Sequence, residues 1–396
     1  MRIYADNAAT TMMSKTASDV MAMCLCEYYG NPSSLYMLGQ QAKNKLEEAR
    51  SIIAGLINAK PKEIIFTSCG SESDNQAIIT AAEIGRKKGK MHIISTAFEH
   101  HAVLHTLEKL EKDGFSVTLL PVHENGIVIP DELDAAITDD TCLVTVMTAN
   151  NEIGTVQPIE KIGEICRKHG VIFHTDAVQA AGHLPIDVEA QKIDMLSASA
   201  HKFHGPKGVG FLYIRSGIPA ASLIEGGAQE RGRRAGTENV AGIASMAAAL
   251  TEAVSNMEKN NLHISKMRDY IIKGLSEIPH SALNGDAKKR LSGNINFCFE
   301  GIEGEAILML LDQKGICASS GSACTSGALD PSHVLLAIGR IHDVAHGSLR
   351  LSLGEDISPE QADYIIKSVR ETVGHLRSFS PVWRDLTEGK RQFVLN

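Results

Sequence analysis

The sequence predicts an α/β protein: a mainly parallel sheet with helices between its strands, joined to a second, smaller α+β domain. Three observations carry this expectation. Between residues 60 and 215 a short apolar run, a polar cluster and a helical stretch recur in turn. Beyond residue 265 strand and helix signals restart with looser spacing. A chain of 396 residues is also longer than one hydrophobic core ordinarily fills.

The strand-like runs are, in order, Glu63-Ile-Ile-Phe-Thr67, His92-Ile-Ile-Ser95, Cys142-Leu-Val-Thr-Val-Met147, Val171-Ile-Phe-His174, Asp194-Met-Leu-Ser197 and Val209-Gly-Phe-Leu-Tyr-Ile214. Strands alternating with helices imply parallel pairing. Residues 217 to 265 read as a loop and then a helix. After them come "SGNINFCF", "EGEAILMLLDQKG" and "GSLRLSLG". The last long segment begins with Ser358 and Gln361 spaced as a capping box around Pro359. In it Ala362, Ile365, Ile366, Val369, Val373 and Leu376 share one apolar helix face.

Composition excludes several classes. The chain is 43% hydrophobic and 22% charged, which suits a globular protein and not a disordered or fibrous one. A net charge of -8 and short basic runs (Arg86-Lys87-Lys88, Lys288-Lys289-Arg290) give no reason to bind nucleic acid. "MRIYADNAATT" lacks the apolar stretch of a signal peptide, and no window approaches about 18 uninterrupted apolar residues, so a cytoplasmic protein without a membrane span is expected. Eight cysteines are too sparse for a disulfide framework and are expected to be free thiols. Cys24, Cys26, Cys142, Cys166 and Cys298 lie in apolar or amphipathic runs and read as small buried hydrophobes, as does Cys317 at a strand start.

Open α/β sheets bind ligands at the carboxyl ends of their strands. The residues directly after each run therefore carry the functional signal. Gly70-Ser71-Glu72 comes after the first, Glu99-His100 after the second, Asn150-Asn151-Glu152 after the third, Asp176 and Gln179 after the fourth, and Ser199-His201-Lys202 after the fifth. An anion-binding turn, an imidazole, an amide, a carboxylate and an amine thus reach one edge of the sheet. These groups meet the needs of pyridoxal phosphate, whose aldehyde takes a lysine, whose ring nitrogen takes an acid and whose phosphate takes a helix N-terminus. Lys202 directly follows a strand end, whereas Lys207 lies in a turn beyond Pro206, so Lys202 is the candidate Schiff-base lysine. Asp176 is the candidate partner of the ring nitrogen; its competing reading is a cap on a following helix. Gly70 and Ser71 open a helical pattern and can hold the phosphate, or simply cap the helix. His100 can lie over the ring and move protons, while His101 has no comparable case.

Three features fall outside that set. "EGGAQERGRRAGTENV" places Arg231, Arg233 and Arg234 among glycines, a basic loop that either meets an anion or is simply solvated. "CASSGSACTSGALDP" holds Cys324 among small polar residues with little to bury it, as a reactive thiol requires. Arg350 alternates with leucines and either offers a bidentate fork to a substrate carboxylate or sits on the surface of an edge strand.

"YADNAATT", "GNPSS", "TSCGSESDN", "ANNEIG", "HTDAVQA", "SAHKFHGPKG", "ERGRRAGTENV", "SSGSACTSG" and "RLSLG" succeed one another along nearly the whole chain. In that order they resemble the motifs of group I, NifS/IscS-type cysteine desulfurases in the aminotransferase class V superfamily. The resemblance implies a pyridoxal-phosphate-dependent transferase of fold type I with a seven-stranded, mainly parallel sheet. It implies a large domain over 15–260, and a small domain from 1–14 and 261–396 that carries the catalytic cysteine. It further implies a homodimer that takes sulfur from L-cysteine, leaves L-alanine, and passes an enzyme persulfide to an iron–sulfur scaffold or another acceptor protein.

By residue, Lys202 matches the Schiff-base lysine, His100 the stacking histidine, and Asp176 and Gln179 the partners of the ring nitrogen and phenolic oxygen. Ser71, Ser199 and His201 match phosphate ligands, with Gly70 beside them, and Thr237 matches a threonine that reaches the neighbouring subunit's phosphate. Asn151 and Arg350 match substrate-carboxylate contacts, Asn151 also bordering the cofactor, and Cys324 matches the sulfur-accepting nucleophile. Ser71 stands where the family commonly has threonine, which keeps the hydroxyl, and Cys69 adds a second thiol beside it. No metal is expected: His342 and His346 in "HDVAH" are spaced as in zinc proteases, but Asp343 is shorter than the glutamate that motif needs and Gly347 follows at once.

Overall fold

A computed structural model describes residues 2–320 and 331–395. The chain opens with β1 (Ile3–Tyr4), α1 (Lys15–Glu27) and α2 (Met37–Leu56). Next come β2 (Ile64–Thr67), α3 (Gly70–Lys87), β3 (His92–Thr96), α4 (His101–Lys112), β4 (Ser116–Leu120), α5 (Pro130–Ala136) and β5 (Thr141–Thr145). Then come α6 (Ile159–His169), β6 (Ile172–Asp176), β7 (Met195–Ser199) and β8 (Gly210–Ile214). Strands β2 to β8 form one seven-stranded sheet in the order β2-β8-β7-β6-β5-β3-β4. Its pairings from β7 through β6, β5 and β3 to β4 are parallel, and β8 runs antiparallel to both neighbours.

The apolar runs became these strands because the sheet is covered on both faces. Phe66, Phe173, Leu196, Phe211 and Tyr213 pack on one side, and Ile65, Ile93, Leu143, Met195 and Leu212 on the other. Strand β4 has no such signature. It sits at the sheet edge with three of its five residues exposed, so nothing required an uninterrupted apolar run there.

Helix α7 (Val240–Leu275) leads out of the large sheet region. By length and composition it could cross a membrane, yet 56% of its apolar window is buried. Its first half (Met246, Ala247, Leu250) enters the core around the large sheet, and its second half (Ile264, Ile271, Leu275) enters a separate cluster. That cluster is built on β9 (Ser281–Leu283), β10 (Asn294–Phe299), α8 (Gly304–Gln313) and β11 (Ile316–Cys317). Beyond them lie α9 (His333–Ala337), α10 (His342–Ala345), β12 (Ser348–Ser352), α11 (Pro359–Phe379) and α12 (Pro381–Thr387). The order β12-β10-β9 is antiparallel throughout, and β1 pairs in parallel with β11. The expected capping box starts α11, whose apolar face lies on this second core.

Two expectations about cysteines need correction. Cys26 is exposed although Cys24 is buried, because residues two apart on a helix point about 200° away from each other and cannot share a core. Cys317 is only half-buried, since β11 is a two-residue strand paired on one side. Cys142, Cys166 and Cys298 are buried as expected.

Candidate active site

The ends of β2, β3, β5, β6 and β7 deliver the groups the sequence singled out. After β2 the chain turns into α3 at Gly70. Among the described residues no side chain caps that helix, so the amides of its first turn face outward without a side-chain acceptor of their own. Ser71 is exposed in this turn. A methyl group on Gly70 would lie 2.6 Å from Val178 Cγ2 and 3.5 Å from the Ser199 Cβ, so the residue at this position must be small for the helix start to meet the loops after β6 and β7.

After β3, His100 stands at the start of α4 and its Nδ1 accepts from the Ala102 N–H at 3.1 Å. An accepting Nδ1 leaves the neutral ring's proton on Nε2. Burial, then the charge of Lys202, pull the His100 pKa down to about 4, so the ring is neutral at physiological pH. After β5, Asn150 shapes the turn: its Oδ1 accepts from the N–H groups of Glu152 and Ile153 at 2.8 and 3.0 Å. Asn151 is left half-exposed beside it.

After β6, Asp176 is buried and accepts from the Val178 N–H at 2.8 Å. No helix follows it, so the capping reading fails. Burial pushes its pKa up to about 6, against the pull of the Val178 N–H and the Lys202 ammonium. Strand β7 ends on buried Ser199, and His201 and Lys202 follow in a single 3₁₀ turn. Burial, then Lys202 and Lys207, hold the His201 pKa down at about 4. The charge of Lys202 is thus felt at Asp176, His100 and His201.

The N-terminal "DNAATT" turn meets several of these residues and was not singled out by residue chemistry. Lys202 Nζ donates to the carbonyls of Ala8 and Ala9 at 2.6 and 2.8 Å, and Gln179 Nε2 donates to Ala8 at 3.0 Å. His201 Nδ1 and Thr10 Oγ1 are 3.1 Å apart. Asp6, in the same turn, pairs with Arg350 Nη2 at 3.0 Å. Arg350 is 3% exposed although β12 is an edge strand, so it is no surface arginine. Its Nη1 donates to the Asn151 carbonyl at 3.2 Å, which joins both predicted carboxylate contacts.

Glu152, also unassigned by the sequence, is buried and accepts a short hydrogen bond from the Ser332 hydroxyl. Of the basic loop, Arg234 pairs with Glu72 at 2.9 Å, and Arg231 and Arg233 also turn to protein partners. Thr237 is exposed. Cys324 lies outside the described residues. Among those described, no three ligands gather for a metal, and His342 and His346 merely meet edge to face.

These residues fit pyridoxal phosphate on structural grounds. The uncapped helix start and its narrow Gly70 approach suit a phosphate, the buried carboxyl at a strand end suits a ring nitrogen, and Lys202 supplies an amine. The family model for class-V aminotransferases matches residues 3–365. The chain belongs to that family. Its members depend on pyridoxal phosphate. The chain is 50% identical over 394 residues to a cysteine desulfurase IscS of Clostridium botulinum, covering 99% of both proteins. It is 52% identical over 380 residues to a cysteine desulfurase IscS of Methanosarcina thermophila, covering 96% of this chain and 94% of that protein. The solved structure of a NifS-like protein superposes with a TM-score of 0.89 at 39% identity, covering 95% of this chain and all of the other.

Proposed function

We propose that this class-V aminotransferase is a cysteine desulfurase: it removes sulfur from L-cysteine, leaves L-alanine, and carries the sulfur as a persulfide on Cys324. The observation that supports the reading is one N-terminal turn that meets Lys202 Nζ at 2.6 and 2.8 Å, Gln179 Nε2 at 3.0 Å and Arg350 Nη2 at 3.0 Å. Full-length similarity to proteins named as cysteine desulfurases supports the substrate.

When bound, the cofactor supplies an aldehyde for an amine and an electron sink for charge developing at the substrate Cα. Lys202 would hold the aldehyde until the substrate amine takes its place there, and the freed Nζ would then be the base for the Cα proton. Asp176, ionised, keeps a proton on the ring nitrogen, and Gln179 serves the phenolic oxygen. His100, neutral with its proton on Nε2, would cover the ring. Gly70, Ser71, Ser199 and His201 would hold the phosphate, and Thr237 would serve that of a second subunit. Arg350 and Asn151 orient the substrate carboxylate. Cys324 receives the sulfur.

The large domain spans 15–260 and the small one 1–14 and 261–396, with α7 as the continuous link. The enzyme works as a cytoplasmic homodimer and hands its persulfide to an iron–sulfur scaffold or another acceptor protein. The test is Cys324→Ala. The cofactor's absorbance is retained while sulfide release from cysteine is lost; undiminished sulfide release would discard the persulfide step and leave a related lyase or aminotransferase.

A further inference from the structure

The carboxylate-binding arginine is already engaged. Arg350 is buried on β12, and its guanidinium meets Asp6 Oδ1 at 3.0 Å and the Asn151 carbonyl at 3.2 Å. Its Nε is buried without a hydrogen-bond partner among the described residues. A guanidinium with a single donor on a carboxylate and its Nε idle is incompletely satisfied, and a planar carboxylate can take two of its N–H groups in parallel. Asp6 supplies the same chemical group that an amino-acid substrate would bring.

Asp6 has a second contact. Its Oδ2 accepts from the Ser319 hydroxyl at 3.1 Å. Ser319 also exchanges backbone hydrogen bonds with Arg350, at 3.1 and 2.6 Å. In sequence, Ser319 stands five residues before Cys324. One carboxylate therefore ties the arginine to the root of the segment that bears the nucleophile.

We propose that Asp6 is a positioning residue, an internal stand-in for the substrate carboxylate that pairs with Arg350 in the free enzyme and is displaced from it when an amino acid binds. The displacement alters the side-chain bond between Asp6 and Ser319, so carboxylate binding is felt at the root of the Cys324 segment. The exchange keeps the charge balance around Arg350, since one anion replaces another on a buried cation. The same turn carries the Ala8 and Ala9 carbonyls that hold Lys202, so movement of Asp6 also bears on the amine.

The inference rests on Arg350 reading a carboxylate, as in the proposed function, but not on what becomes of the sulfur. The test uses holoenzyme and two probes, L-alanine and L-alaninamide, which differ only in the carboxylate, with binding read from the cofactor's absorbance. In Asp6→Asn the competitor's charge is gone while its shape remains, and L-alanine binds about fivefold more tightly than to the wild type. L-alaninamide binding is unchanged, and Asp6→Glu restores the wild-type value for L-alanine. Weaker L-alanine binding in Asp6→Asn, or an equal shift for both probes, would overturn the proposal and make Asp6 an orienting partner only.

A second measurement needs no variant. In the wild type, saturating L-alanine raises the rate of alkylation at Cys324, read on its own peptide, by about fivefold, and L-alaninamide does not. Equal rates with the two probes would overturn the link through Ser319. Absence of sulfide release from cysteine, with the L-alanine results intact, would instead count against the desulfurase reading alone.

Discussion

Replacing Gly70 by alanine perturbs the cofactor cradle by one methyl group. That methyl would lie 2.6 Å from Val178 Cγ2. Carbon atoms in contact sit about 3.6 Å apart, so one side must yield by about 1 Å. Val178 is β-branched and has no low-energy rotamer to spare. Its N–H is also held by Asp176 Oδ1 at 2.8 Å, so displacing it pulls on the carboxylate assigned to the ring nitrogen. Overpacking of this kind costs about 1–3 kcal/mol. Borne by the cofactor-bound form, this weakens cofactor binding by about 5- to 150-fold.

The assay is the dissociation constant of pyridoxal phosphate from Gly70→Ala, measured by equilibrium dialysis beside the melting temperature of the apo-protein. Adding Val178→Ala removes Cγ2, and the double variant recovers most of the lost affinity, a coupling expected only of residues in contact. Wild-type affinity in Gly70→Ala, or no recovery in the double variant, would refute the close-approach reasoning.

The remaining predictions concern stability and charge. Burial pushes Glu99 up to about 8, although Met147 and Thr96 donate to its carboxylate. Its folded pKa lies above its unfolded one, so its contribution is full below the unfolded value near 4.5 and is lost as pH rises toward 8. Glu99→Gln is therefore expected to lose a decline in apo-protein stability on the order of 3 kcal/mol between about pH 5 and 8, seen in urea denaturation. Arg50 makes two 2.7 Å bonds to buried Glu230, which also accepts from the Phe66 N–H. Arg50→Ala leaves that carboxylate unpaired and costs about 3–5 kcal/mol, again read from denaturation midpoints, while Arg50→Lys recovers only part of it. Lys202→Ala is expected to abolish sulfide release and to remove the absorbance shift that marks cofactor joined to lysine, leaving the fold's circular dichroism unchanged.

Much of the fold was legible because a sheet covered on both faces needs apolar runs, and β2, β3, β5, β6, β7 and β8 supply them. Strand β4 was not, since an exposed edge imposes no such pattern. The candidate site was legible because its polar groups sit at or within a few residues of strand ends, Asp176 closing β6 and His100 and Lys202 in the connections after β3 and β7. What stayed hidden depends on contacts between distant segments. Asp6 lies 344 residues from Arg350, and Glu152 lies 180 from Ser332; no local spacing records either pair. The "YADNAATT" motif pointed to the first turn without revealing that its carbonyls hold an amine. Cys26 was misread by composition where helix geometry decides.

In the proposed reaction an amine and a thiol from separate parts of the chain divide the work, Lys202 at the Cα proton and Cys324 at the sulfur. Mass spectrometry of holoenzyme after brief exposure to L-cysteine without added reductant tests it most directly. One additional sulfur atom is expected on the peptide containing Cys324, formed with one L-alanine per sulfur and absent in Lys202→Ala. Sulfur on Cys26 or Cys69 instead, or alanine released with no sulfur on any cysteine, would contradict it.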